Sequence, residues 1–164
     1  MIVFGKERDY IVHNNEVVKG FFSEYRFLSN FELAEVVYEG VTYPSSENAY
    51  QAAKSLDPKI REMFVKRYEP KTKKWVTVTP SESKKMGRVV DCRKDWEDVK
   101  YKVMYDIVLD KFIRNKDLAD KLIETGDRYL EETNHWHDTC WGVCDGVGKN
   151  WLGKILMDVR NQLK

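Results

Sequence analysis

Polar side chains of four different chemistries share one face of a helix predicted between Ser46 and Leu56. They are a carboxylate, a phenol, an amide and an amine, from Glu47, Tyr50, Gln51 and Lys54. Residues three or four positions apart stack on a helix, so this face spans about two turns. As a cleft wall it offers a general acid or base beside a cation, with the carboxylate kept ionised by the helix N-terminus. The alternative is the ordinary solvent face of an amphipathic helix that packs through its alanines.

A second stretch with chemical potential runs from Leu130 to Gly153 and lacks the periodicity of a helix or strand. It holds Trp136 and Trp141 among polar residues and glycines, which suits a stacking surface for a base or a sugar. The alternative is a loop that its tryptophans pin to the core. Gly148 and Asn150 lead into the last predicted helix, where backbone N–H groups could hold an anion.

The same stretch is crowded with side chains able to bind a metal: His135, His137, Asp138, Cys140 and Cys144. They show no Cys-x-x-Cys pair and no standard zinc spacing. We therefore predict no metal and no other cofactor, and a metal-dependent hydrolase stays a less favoured alternative. Three cysteines in 164 residues are too few, and odd in number, for a secreted disulfide framework.

Charge is distributed unevenly along a chain whose net charge is only +1. Residues 59–102 carry fourteen basic and seven acidic side chains, a surplus of +7, so the rest carries −6. The basic segment is either a solvated surface with a lysine-rich loop or a positive wall beside a pocket for an anion. The nearly neutral net charge of the whole chain argues against a protein that binds along duplex DNA.

The elements that must position these residues follow from turn and capping signals. Hairpins are predicted around Asn14-Asn15 and Glu39-Gly40. Helices are predicted after Ser45, Asp57, Thr79, Asp95, Asp117 and Asn150, with a capping box at Thr79 and glycines ending two of them. The predicted fold is one predominantly α (α+β) domain over residues 1–164, compact and helical, with a small N-terminal antiparallel β element.

No run of about 18 apolar residues is present, which predicts that the chain does not span a membrane. Charged residues, including Lys6, Glu7, Arg8 and Asp9, interrupt the start of the chain, which argues against a signal peptide. A cytoplasmic location is expected. The oligomeric state is left open by the sequence.

Over residues 20 to 162 the motifs resemble the NADAR (YbiA-like) family, in the expected order. The resemblance rests on 27-FLSNF-31, on 43-YPSSE-47 with Tyr50-Gln51 and Lys54, on Met86-Gly87-Arg88, on 93-RKDW-96, on Asn134, Trp136, Asp138 and Trp141-Gly142, and on 148-GKN-150. It implies a compact, mostly helical fold and N-glycosidase activity on the bond between a base nitrogen and ribose C1′. Substrates in the family include phosphorylated ribosylamino-pyrimidines of riboflavin synthesis and ADP-ribose attached to guanine.

Under this resemblance the residues take the following expected roles. Glu47 and Asp138 are candidate catalytic carboxylates with exchangeable assignments, and Lys54 is a candidate nucleophile that would form a Schiff base. Candidate substrate-binding residues are Ser29, Asn30, Arg88, Trp96, Trp136, Trp141, Gly148 and Asn150. Trp96, on a predicted buried helix, is the one most expected to belong to the core.

The substrate is left open by two departures from the family pattern. Val143 stands where some riboflavin-type members have an acidic residue, and residues 69–78 look like an insertion relative to shorter members. The expected partner is a small nucleotide-like molecule or an ADP-ribosylated nucleic acid. The main alternative is a non-catalytic module that binds ADP-ribose, an NAD-type ligand or nucleic acid.

Overall fold

The computed structural model of the chain describes residues 10–164. Its backbone contacts divide into two compact units. Of the described residues, the terminal unit consists of residues 10–29 together with Lys116–Lys164, and the central unit is Asn30–Asn115. That residues 1–164 form a single domain stays a prediction.

Strands and helices are interspersed along residues 10–164. The strands are β1 Val12–His13, β2 Val17–Lys19, β3 Leu33–Tyr38, β4 Val41–Ser45, β5 Lys66–Glu69, β6 Lys74–Thr77, β7 Tyr129–Glu131, β8 Thr133–Asn134 and β9 Val143–Cys144. The helices are α1 Ser46–Ala52, α2 Pro58–Glu62, α3 Pro80–Gly87, α4 Trp96–Arg114, α5 Lys116–Glu124 and α6 Trp151–Leu163, and a 3-10 helix spans Ser23–Leu28.

The terminal unit is built on a small sheet in the order β1-β2-β7. β1 and β2 are antiparallel, which confirms the hairpin predicted around Asn14-Asn15 from Val12 onward; its predicted start at Asp9 lies outside the described residues. The Asn14 side chain accepts hydrogen bonds from the N–H groups of Glu16 and Val17 and so fixes the turn. β7 runs parallel to β2, and α6 packs against β7 through an apolar stripe that includes Leu152 and Leu156.

In the central unit, β3 and β4 form the predicted hairpin, with Glu39 and Gly40 both at positive φ as a two-residue turn requires. The long helix α4 packs against β3 and buries Ile107, Val108 and Phe112. Such burial removes the apolar surface of these side chains from water, which is the main force holding helix and hairpin together.

Three predicted helix starts are confirmed by their caps. Ser45 accepts the N–H of Asn48, Asp57 accepts the N–H of Lys59, and Thr79 forms a reciprocal capping box with Glu82. Asp95 precedes α4 as predicted but does not cap it, since its carboxylate pairs with Arg93 instead.

The expectation of a predominantly α fold with strands only near the N-terminus needs correction. Of the described residues 43% are helical and 21% lie in strands or bridges, so the fold is α+β. The helix predicted after Asp57 ends at Glu62, and β5 and β6, which were not predicted, follow as an antiparallel hairpin. The cross-strand pair of Tyr68 and Trp75 favours strands here over a helix.

Within residues 10–164, no helix has both the length and the apolar composition needed to cross a bilayer.

Candidate active site

Helix α1 is buried on every side, including its polar face. All seven of its residues are buried, and Glu47 and Gln51 are only 7% and 6% exposed. The interpretation of this face as an ordinary solvent surface is therefore wrong. Removal from water strengthens the electrostatic interactions of the groups on it.

The Glu47 carboxylate is held by the residue one turn further along. Gln51 Nε2 donates to Glu47 Oε1 at 2.8 Å. The Glu47 backbone N–H donates to the carbonyl of Asn30 at 3.0 Å, and Asn30 Nδ2 lies 3.5 Å from Met104 Sδ on α4. Both the side chain and the backbone of Glu47 are thus fixed, which is the preorganisation a catalytic carboxylate needs.

Lys54 lies just beyond α1, because the helix predicted to reach Leu56 ends at Ala52. The chain cannot continue as a helix into Asp57, since the following Pro58 disfavours helical geometry there. Lys54 Nζ donates to the Gly87 carbonyl at 3.1 Å and lies 5.9 Å from the centroid of the Tyr50 ring. Burial lowers the pKa of this amine, although the charge of Glu47 opposes the shift.

Gly87 and Gln51 are in a close contact that the sequence alone did not predict. A Cβ on Gly87 would lie 1.8 Å from Gln51 Oε1, so no larger residue fits here without displacing the amide. Within the described part of the chain, Gln51 Oε1 is buried without a hydrogen-bond partner. The sequence signal was present in the Met86-Gly87-Arg88 motif, but the glycine was interpreted only as a helix terminator.

An aromatic pair and an exposed cation complete this group in the central unit. The rings of Tyr50 and Trp96 are tilted at 55° with centroids 5.1 Å apart, and both side chains are 7% exposed. This agrees with the expectation that Trp96 belongs to the core. Arg88 follows the last residue of α3 and is exposed. The structure therefore brings Glu47 and Lys54 together with Tyr50, Trp96 and Asn30. Arg88 directly follows Gly87, whose carbonyl accepts Lys54 Nζ.

In the terminal unit, Asp138 and Asn134 hold the loop after β8. One oxygen of Asp138 accepts the N–H groups of Cys140 and Trp141 at 3.1 and 2.9 Å. The Asn134 side chain accepts the N–H of Asp138 at 3.0 Å and donates to its carbonyl at 2.9 Å. A stretch without helical or strand periodicity is thus ordered by side-chain bonds to its own backbone.

The predicted stacking residues differ in exposure. Trp136 is 40% exposed, with Phe22 edge-on at 6.4 Å between ring centroids. Trp141 is half-buried and packs edge-on against Trp151 at 5.5 Å. Ser29 is half-buried at the end of the 3-10 helix, where its N–H donates to the Arg26 carbonyl. Their roles toward a ligand stay predictions.

The start of α6 is bonded to the preceding loop. The N–H groups of residues 149 to 152 donate to loop carbonyls of Thr139, Gly142, Cys140 and Trp141. They are therefore not available as the anion-binding donors predicted at this helix start. A Cβ on Gly148 would lie 2.1 Å from the Gly142 carbonyl oxygen, so close backbone packing alone explains why a glycine occupies this position. A role of Gly148 in substrate binding stays a prediction.

Asn150 is almost fully buried, 2% exposed, in the left-handed conformation with φ 52°. Its Oδ1 accepts the Glu132 N–H at 3.0 Å, and its Nδ2 donates to the Leu130 carbonyl at 2.9 Å and to Tyr129 Oη at 3.1 Å. These bonds tie α6 to β7. The predicted contact of Asn150 with sugar or base would have to be made in addition to them.

We expect Asn150→Ala to lower the free energy of unfolding by about 2 to 4 kcal/mol, because buried backbone groups lose their partners and alanine tolerates φ 52° poorly. Chemical denaturation measures the loss. Asn161→Ala, an exposed change on the same helix, should have little effect. A loss of activity in Asn150→Ala without a loss of stability would instead indicate a ligand contact.

The metal-ligating residues of this loop do not converge. Among the described residues, no group of three or more histidine, cysteine, aspartate or glutamate side chains is arranged to hold a metal ion. His137 Nδ1 and Cys144 Sγ are 4.0 Å apart, and the Sγ lies 3.9 Å from Asp145. The alternative of a metal-dependent hydrolase therefore finds no ligand set in residues 10–164.

Comparison with known proteins gives curated relatives of two kinds. The protein named N-glycosidase YbiA from Escherichia coli (strain K12) is 36% identical over 143 residues, covering 85% of this chain and 82% of the relative. N-glycosidase Npun_R5314 from Nostoc punctiforme is 32% identical over 143 residues, covering 85% and 86%. The riboflavin biosynthesis protein VVA0006 from Vibrio vulnificus (strain YJ016) is 36% identical over 141 residues, but the match spans only 35% of that longer protein.

The fold is similar to a solved one. The NMR structure of the E. coli protein YbiA superposes with a TM-score of 0.74 at 33% identity, covering 96% of this chain and 90% of that chain. The sequence profile of the NADAR domain matches residues 10–164. This range contains the buried α1 with Glu47 and the ordered loop with Asp138, and the chain belongs to the NADAR domain family.

Proposed function

We propose that the chain hydrolyses the bond between a base nitrogen and ribose C1′ in a ribosylated or ADP-ribosylated base. The two substrates we consider are ADP-ribosyl-guanine and a phosphorylated ribosylamino-pyrimidine. The enzyme class, an N-glycosidase, follows from the family and from the relatives that carry this name. The observation that carries the proposal is a buried glutamate fixed by a buried glutamine, beside a lysine of lowered pKa.

The chemistry of N-glycoside cleavage matches these groups. As the bond breaks, C1′ gains oxocarbenium character and the departing base gains negative charge. The Glu47 carboxylate, desolvated and held by Gln51, is suited to stabilise the cationic sugar or to activate water. We assign the second carboxylate role to Asp138, whose Oδ1 is engaged by its own loop.

Recognition of the substrate would fall to aromatic and cationic side chains. We assign the walls around the base to Trp96, Trp136 and Trp141, with the phosphate bound by the exposed guanidinium of Arg88. Ser29, Asn30, Gly148 and Asn150 are the remaining proposed binding residues. The partner is then a small nucleotide-like molecule, free or attached to nucleic acid.

Lys54, just beyond the end of α1, supports a covalent route. After the ribose ring opens, the neutral amine adds to C1′ and the base leaves with a proton. Water then hydrolyses the resulting lysine imine to release the sugar aldehyde and restore the amine. Burial favours this route because a lysine with a lowered pKa is neutral, and nucleophilic, over a wider pH range.

We expect borohydride added during turnover to attach the sugar to Lys54, with a yield that rises with pH and levels off below the pKa of an ordinary lysine. Peptide mass spectrometry locates the adduct. Its absence at Lys54 while product forms would leave the direct attack of water as the mechanism.

The proposal is tested by incubating the purified protein with ADP-ribosylated guanine nucleotide and, separately, with a ribosylamino-pyrimidine phosphate. Chromatography should detect free base and free sugar phosphate or ADP-ribose from one of them. Binding of ADP-ribose without base release from either substrate would favour the non-catalytic binding module. Glu47→Gln serves as the inactive control.

A further inference from the structure

The hairpin of β5 and β6 presents aromatic rings that the proposed reaction does not use. Tyr68 and Trp75 are direct cross-strand partners, 48% and 65% exposed, with ring centroids 5.7 Å apart. Two large aromatic side chains next to each other on an exposed hairpin offer flat π-surfaces to a ligand. Single exposed apolar residues are common, but a paired and basic-flanked set indicates a binding surface.

Positive charge surrounds these rings. Lys66 Nζ lies 5.4 Å from the centroid of the Trp75 ring. In the part of the chain that the structure describes, no carboxylate pairs with the ammonium groups of Lys71, Lys73 or Lys74, at and beside the hairpin turn; Glu69 accepts only the backbone N–H of Lys71. Arg67 differs, since Glu69 and Glu82 neutralise it. Lys66 Nζ also lies 3.8 Å from Glu62 Oε1. The uncompensated cations are thus Lys71, Lys73 and Lys74, at the turn end of the hairpin.

A groove of about 710 Å³ lies between this hairpin and the hairpin of β3 and β4. Its lining includes Lys66 and Trp75 on one side and Leu33 and Pro44 on the other. Leu33 is 71% exposed, so the groove has an apolar floor open to solvent beside a cation. This combination suits a base whose phosphate stays near a lysine.

The base of the hairpin is held rigidly by the helix that carries Glu47. Asn48 Nδ2 donates to the carbonyls of Phe64 and Val78, at 2.7 and 3.0 Å, and the Val78 N–H donates to the Val65 carbonyl. Asn48 is fully buried, and both of these hydrogen bonds fix the residues that flank the hairpin to α1. A rigid platform binds with a smaller entropy cost than a loop that must first become ordered.

We propose that the β5–β6 hairpin binds single-stranded nucleic acid, with bases stacked on Trp75 and Tyr68 and phosphates held by Lys66, Lys71, Lys73 and Lys74. Stacking on aromatic rings within a positively charged groove is how proteins bind single strands without reading their sequence. A protein partner is less favoured because lysine is depleted in protein–protein interfaces, whereas here it dominates. This binding is a separate function from the proposed hydrolysis, because it needs none of the proposed catalytic residues and no turnover.

The experiment measures fluorescence anisotropy of labelled oligothymidylate and oligouridylate of about 12 nucleotides, within the site sizes of single-strand binders. The full chain should bind one or both more tightly than a duplex of the same length. Trp75→Ala should weaken binding about tenfold. The triple variant Lys71→Gln, Lys73→Gln and Lys74→Gln should reduce the slope of log affinity against log salt by about 2.

A matched triple variant, Lys102→Gln, Lys116→Gln and Lys164→Gln, removes the same charge from lysines that are paired with aspartates, and it should bind as the wild type does. Binding that neither hairpin variant weakens, or no binding at low salt, would overturn the proposal. So would equally tight binding of polyglutamate that Trp75→Ala leaves unchanged, which would indicate an acidic protein partner. Hydrolysis of a free nucleotide substrate is assayed in parallel, so a failure here is separable from a failure of the proposed function.

Discussion

Glu47→Gln is expected to lower kcat by at least about a hundredfold, within the range that a positioned acid or base contributes. The substitution removes the negative charge and leaves the shape of the side chain nearly unchanged. The new amide can keep its oxygen toward Gln51 Nε2, so the 2.8 Å hydrogen bond persists. The Glu47 N–H still donates to the Asn30 carbonyl. The loss therefore belongs to the chemical step and should appear in single-turnover rates.

The control for this result is the stability of the variant, which shows whether the activity is lost because the protein unfolds. Thermal unfolding of Glu47→Gln should stay within a few degrees of the wild type, since no hydrogen bond described for its side chain or backbone has to break. Asp106→Asn neutralises a half-buried carboxylate on α4 that pairs with Lys102, and it should retain full activity. Near-normal turnover by Glu47→Gln would show that this carboxylate is not catalytic. Asp138 would then be the remaining candidate for the catalytic carboxylate.

Local chemistry made much of the fold predictable. The turn at Glu39-Gly40 needs positive φ at both positions, and the caps at Ser45 and Thr79 satisfy N–H groups within the next three residues. These signals lie within a few residues of the structure they specify. The sequence could therefore place them without knowing what packs against them.

The burial of α1 could not be predicted in the same way. The spacing of its polar residues is that of any amphipathic helix, and only contacts with distant segments decide whether that face meets water or protein. The contact between Gly87 and Gln51 joins residues 36 positions apart and has no local signature. The β5–β6 hairpin was missed because strand preference depends on cross-strand partners such as Tyr68 and Trp75.

Gly87→Ala is expected to lower kcat/KM by roughly tenfold to a hundredfold, because a shift of about 1 Å in a positioning group can cost this much. The new methyl would lie 1.8 Å from Gln51 Oε1, and Gln51 is too buried to swing away freely. Displacing Gln51 would disturb the amide that holds Glu47. A shift of the backbone at residue 87 instead would move the carbonyl that accepts Lys54 Nζ. Stability should fall by about 1 to 3 kcal/mol, as for other overpacked sites, measured by chemical denaturation.

A double-mutant cycle with Gln51→Ala isolates the cause of that loss. Once the Gln51 amide is removed, the methyl of Gly87→Ala has room, so its stability cost should largely disappear in this background. Activity should remain low in both Gln51→Ala proteins, because Glu47 has lost the donor that orients it. An equal stability cost of Gly87→Ala in both backgrounds would mean that the clash lies elsewhere. Full activity of Gln51→Ala would mean that the amide does not position the carboxylate.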